Sequence, residues 1–182
     1  IAEDKALGKV QFEETVKAND NDNIKAIEGY TFAYASPEEL TVTNNPDDNI
    51  INIYYYKNVT LTANSETYVY NGKEQSVTGY KCNVSDATFE GIKASAAGTN
   101  VGSYTVKFSD GTVNKVDTTG KYIVTEVKNG AMNITELDVT VTAPDVTAKY
   151  DGDMHGVSEA GAAKLTGAVA GHKLGEVTYS GE

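Results

Sequence analysis

The stretch VTLTANSETYVYNG, residues 59–72, returns as VTVTAPDVTAKYDG at residues 139–152, an offset of 80 positions. A period of that length is the size of a small domain, so the chain is expected to fold as units in series, each with its own core. Both copies open with the same alternation. Val59 and Leu61, like Val139 and Val141, fall on one side of an extended chain, with Thr on the other. Asn71-Gly72 and Asp151-Gly152 then stand where a tight turn favours positive φ.

The middle unit, residues 58–137, carries more strand patterns: Tyr80, Cys82 and Val84; Tyr104, Val106 and Phe108; Tyr122 to Val127; and Ala131 to Ile134. Asn129-Gly130 reads as a hairpin turn between the last two. Short strands at this spacing predict a sandwich or small barrel. The third unit, 138–182, reads as a partial copy. Thr178-Tyr179-Ser180-Gly181 resembles Thr88-Phe89-Glu90-Gly91 at an offset of 90, so about ten extra residues fall in the small-residue stretch 160–170. No counterpart of SYTVKF or of the strands after it follows, and unpaired edges predict a loose unit or one propped by a neighbouring molecule.

Residues 1–57 stand outside the repeat. Phe12 and Val16, four apart, predict one short helix, and GYTFAY and LTVTNN predict strands. Asn45 to Asp48 reads as a turn. In NIINIYYYK, Ile51, Ile53 and Tyr55 share one face and Tyr54 and Tyr56 the other. The joins at Lys57-Asn58 and Glu136-Asp138 hold no Gly/Ser run, which predicts a stiff connection. Twelve Tyr among many Thr and Val agree with an all-β chain.

Charge removes several function classes. The formal charge is −11 and all 15 basic residues are Lys, so a bidentate phosphate reader is missing and a nucleic acid or acidic membrane is repelled. No apolar run is long enough to span a bilayer as a helix. With Ile1 in first place, the sequence reads as a segment of something longer. The single Cys82 forms no internal bridge and reads as core packing. Asp151, Asp153 and His155 lie close together but fall short of a Zn set, and Asn19 to Asn23 lacks the Gly and Glu of a calcium loop. His172 has no acidic residue within three positions. No nucleophile elbow, dinucleotide fingerprint or P-loop is present, so the expectation is a non-enzyme without cofactor or metal.

Two resemblances sharpen this. Asn100-Val101-Gly102-Ser103-Tyr104 resembles the Asp-x-Gly-x-Tyr corner of immunoglobulin-like sandwiches, which implies a structural corner at Asn100, Gly102 and Tyr104. The pattern IAEDK…ETVKA…IEGYTFAYASPEELTVT…NIINIYYYK over residues 1–57 resembles the mucin-binding-protein type repeat of Gram-positive surface proteins. That likeness implies a β-grasp-like unit, with a strand ahead of IAEDK. The later units resemble the Tyr-Asp-Gly or Tyr-Asn-Gly repeats of large surface proteins of gut Firmicutes, which implies tandem immunoglobulin-like β-sandwich repeats. Together these imply an extracellular, wall-anchored adhesin or stalk module that spaces or presents adhesive domains and contacts neighbouring repeats of its own chain. Two alternatives stay open: a module binding host glycans or proteins, and an accessory domain of a wall-associated enzyme. For ligand contact the candidates are Tyr54 and Tyr56, because exposed aromatics stack on sugar rings or anchor interfaces. The competing reading has them covering a second small core.

Overall fold

The computed structural model describes residues 2–4, 15–18, 24–145, 147, 149–153, 155–156 and 163–178. Among these residues the chain is all-β, with several sheets and no α-helix. The predicted helix at 12–16 is overturned where it can be seen: Thr15–Lys17 is a strand, β2, paired antiparallel with β4 (Glu39–Thr41). Val16 is buried between two exposed neighbours, and that alternation, with a partner strand, outweighs the four-residue spacing to Phe12. Asn45 to Asp48 does turn, as a single 3₁₀ turn over Pro46–Asp48 whose Asn45 side chain accepts from the Asp47 N–H.

The chain divides into two compact units. The first comprises 1–64, 78–95 and 106–130; the second comprises 65–77, 96–105 and 131–182.

The first unit is organised by β5 (Asn52–Ala63), twelve residues free of Gly and Pro. Through its first half it pairs antiparallel with β1 (Ala2–Asp4) and β3 (Tyr30–Ser36). Through its second half it pairs antiparallel with β8 (Tyr80–Cys82) and parallel with β11 (Tyr122–Lys128). The strand runs unbroken across Lys57-Asn58. Its odd-numbered side chains, with Ile51 just ahead of the strand, serve two clusters: Ile51 and Ile53 bury with Ala18 and Ala35, and Val59 and Leu61 bury with Phe89 and Val124. Lys57, on the same parity, is exposed between them.

A second five-stranded sheet has the order β6 (Glu66–Val69), β12 (Gly130–Thr135), β10 (Gly102–Phe108), β9 (Ala94–Gly98), β7 (Gln75–Thr78). This corrects the expected hairpin at Asn129-Gly130. β11 joins β5 in the first sheet and β12 joins β6, in parallel, in the second, so the two do not pair. Gly130 has no positive φ. It is needed because a Cβ there would overlap the Asn64 carbonyl oxygen and stand 2.9 Å from that of Ala63.

The internal repeat is visible in detail. The Lys73 N–H donates to Asn71 Oδ1 at 2.9 Å, and the Asp153 N–H donates to Asp151 Oδ1 at 3.0 Å. Gly72 and Gly152 follow with φ of +74° and +94°. These are the same side-chain-closed turn written twice. In the second unit β13 (Thr140–Thr142) pairs antiparallel with β14 (Lys164–Thr166), opposing Val141 to Leu165 and Thr142 to Lys164. In the earlier copy Leu61 opposes Cys82 and Thr62 opposes Lys81. Cys82 follows Leu61 by 21 positions and Leu165 follows Val141 by 24, so three of the extra residues precede β14.

Candidate functional site

The even-numbered side chains of β5 carry the sequence-derived contact candidates. Tyr54 and Tyr56 are both half-buried. Tyr54 is stacked on Tyr34 of β3, ring centroids 4.5 Å apart and planes 16° from parallel. Tyr34 itself is about half exposed, and the sequence reading did not single it out. The reason is an irregularity in β3. Phe32 opposes Tyr55 and Tyr34 opposes Tyr54, so Ala33 is unpaired and the two aromatics, two residues apart, face opposite sides. Phe32 accordingly meets Tyr55 edge-on at 6.2 Å while Tyr34 joins Tyr54.

Further along this face the Thr31 hydroxyl donates to Asn58 Oδ1 at 2.7 Å and the Thr60 hydroxyl to Glu126 Oε2 at 2.9 Å. The surface is thus aromatic at one end and a set of satisfied hydrogen bonds at the other. The stack uses one π-face of each ring. Beside β3 and β4 lies a concavity of about 590 Å³, lined by Lys17, Ile24, Phe32, Tyr34, Glu38 and Glu39 among others. Lys17 and Glu39 stand 3.7 Å apart across β2 and β4. Its lining combines charged and apolar surface.

Tyr104 donates its hydroxyl to the Asn100 carbonyl at 2.8 Å, and Gly102, between them, has φ +154°. The ring lies directly over Gly98, where a Cβ would overlap it. These contacts close a strand corner and leave the hydroxyl occupied. Tyr104→Phe is expected to fold and to lose about 1 kcal/mol of stability, the value of one hydrogen bond, measured by urea denaturation.

Among the described residues the most enclosed carboxylate is Asp117, 5% exposed. Its Oδ1 accepts from the N–H groups of Lys121 and Tyr122, both at 2.8 Å, and its Oδ2 from the Thr119 N–H and hydroxyl at 3.0 and 2.5 Å. Burial pushes this carboxyl up, but the hydrogen bonds from Thr119, Tyr122 and Lys121 outweigh it and hold it below the ordinary aspartate range. With four donors already bound, Asp117 shapes the loop leading into β11. Asp86 accepts from the Tyr122 hydroxyl at 2.5 Å, which lowers the carboxyl and raises the phenol.

Asp151 meets His155 Nε2 at 3.0 Å. The Asp153 N–H, then His155, hold its carboxyl below the usual value. Among the described residues no group of three or more His, Cys, Asp or Glu could hold a metal ion. Asn19 to Asn23 lies outside the described residues. Cys82 packs beside the Val59–Leu61 cluster, half-buried. His172 is exposed, its Nε2 3.4 Å from the Tyr70 hydroxyl. Among the described residues no helix is long and apolar enough to cross a membrane.

Comparison with protein-family models, with curated protein sequences and with solved structures finds no match to this chain.

Proposed function

We propose that this chain is a structural module of a bacterial cell-surface protein, spacing or presenting adhesive units outside the wall. In this reading residues 1–57 are a mucin-binding-like, β-grasp-like unit. Residues 58–137 are an immunoglobulin-like sandwich repeat, and 138–182 begin a further copy. The observation that carries the proposal is the repeat itself: an identical Asx-closed turn and an equivalent strand pairing, 80 residues apart in sequence at the turn. Duplication of a self-closing β unit lengthens a protein without adding chemistry. The saturated hydrogen bonding of Asp117 and Tyr104 suits the same role.

A second reading, ligand binding at the Tyr34–Tyr54 stack and Tyr56, is favoured by the half-exposed aromatic face of β3 and β5. A glycan array with the protein and its Tyr54→Ala/Tyr56→Ala variant separates the two. The spacer reading expects silence from both across mucin-type sugars. Signal from the parent chain that disappears in the variant would replace the spacer with a glycan-binding module.

A further inference from the structure

The direction of each strand pairing decides how this chain meets tension. β1 and β3 pair antiparallel with β5, and β2 with β4. In such pairs the end where the chain enters the first strand lies beside the end where it leaves the second: Tyr30 opposes Lys57, and Thr15 opposes Thr41. A pull along the chain therefore opens them like a zipper, from one end. The same holds for β13 and β14, where Thr140 opposes Thr166.

Two parallel pairs behave differently, and both join strands far apart in sequence. β5 runs beside β11 from Lys57–Tyr122 to Thr62–Lys128, and β6 runs beside β12 from Glu66–Met132 to Val69–Thr135. Here the entering end of the first strand and the leaving end of the second lie at opposite ends of the ladder. The same pull slides one strand along the other and loads the whole ladder together. Only Asn64 and Ser65 separate β5 from β6, and only Asn129 separates β11 from β12, so tension passes between the ladders with little slack.

Both ladders are reinforced. The Lys57 N–H donates to the Lys121 carbonyl at 2.9 Å, and the Thr60 hydroxyl to Glu126 Oε2 at 2.9 Å. On the other pair the Tyr70 N–H donates to the Thr135 carbonyl at 2.9 Å, and the Thr135 hydroxyl to the Tyr68 carbonyl at 3.2 Å. Val59, Leu61, Val124, Met132 and Ile134 are buried along these strands, which keeps away the water that would replace a broken bond.

We infer that residues 57–136 form a load-bearing clamp: under tension along the chain the two parallel ladders resist by shear and give way last, after the antiparallel pairs on either side have opened. That tension acts on the molecule in service rests on the spacer role proposed above, whereas the resistance follows from strand direction alone.

Optical tweezers at a fixed pulling speed test this on the full chain carrying Cys82→Ala, so that DNA handles attach only at introduced thiols. Lys57→Cys/Glu136→Cys loads the ladders in shear. Lys57→Cys/Lys121→Cys puts both handles at one end of the β5–β11 pair and unzips it. All three introduced positions are exposed, and equal urea midpoints for the two variants establish that only the direction of force differs. The shear pair is expected to rupture at several-fold higher force, because forced unfolding follows the unfolding rate and not the equilibrium stability. The parent chain, held by tags at its two ends, gives a second readout that needs no substitution in a strand. Its last and strongest event should release residues 57–136, about 270 Å of extended chain. Equal rupture forces in the two geometries, or a strongest event that releases a different length, would each overturn the clamp. The glycan array reads the spacer role and the tweezers read the clamp, so failure of either is seen apart from the other.

Discussion

Gly130→Ala is expected to destabilise the protein by about 3 kcal/mol, read as a lowered urea midpoint with an unchanged slope. The backbone at Gly130 has an ordinary φ, so alanine meets no conformational penalty and the whole effect is steric. The added methyl would overlap the Asn64 carbonyl oxygen and lie 2.8 Å from its carbon. Asn64 has little room to withdraw. Its N–H donates to the Gly79 carbonyl at 3.0 Å and its side chain to the Thr78 carbonyl at 2.9 Å. Relief therefore means breaking the end of the β5–β8 pairing. A loss below 1 kcal/mol would show that the Ala63–Asn64 backbone shifts freely and that Gly130 is dispensable.

The second large effect is expected at Asp117. Replacing it with Asn keeps the shape but points an NH2 group at donors, either the Thr119 pair or the Lys121 and Tyr122 N–H groups. Buried donors then lose their acceptor, at an expected cost of about 3 kcal/mol at neutral pH. The pH dependence gives a signature. Because the folded carboxyl titrates below its ordinary value, its contribution is complete above the unfolded aspartate pKa of about 3.9 and is lost as pH falls through the lower folded value. The stability gap between parent and Asp117→Asn should hold from pH 7 to about 5 and narrow on further acidification. A gap that is constant with pH would mean that the carboxylate charge contributes nothing to the loop.

What could be read in the sequence was what repeats or alternates. Val59 and Leu61 announce a half-buried strand, and Asn71 and Asp151 announce their turns through the side-chain acceptor each carries. Alternation fails where the backbone breaks its own period. The unpaired Ala33 sends Phe32 and Tyr34 to opposite faces, so no count of positions pairs Tyr34 with Tyr54. Gly130 was misleading for a different reason: glycine serves positive φ and close approach alike, and only the neighbouring strand distinguishes them. Phe12 and Val16 mark a helix by spacing, yet Thr15–Lys17 follows its partner β4 into a sheet. Asp117 had a legible signal in Asp-Thr-Thr-Gly, a turn composition. Its burial depends on contacts distant in sequence, such as the Thr118 N–H to the Thr88 carbonyl, and could not be read locally.

One strand threading two hydrophobic clusters also limits how this molecule can evolve. Ile53 and Val59 sit on the same parity of β5, so gaining or losing a single residue between them would rotate one set of side chains toward water while the other stayed inward. An even step keeps both sets inward, whereas an odd one would need a bulge such as that at Ala33 to restore the parity, which ties the inheritance of the two clusters together although they share no buried residue.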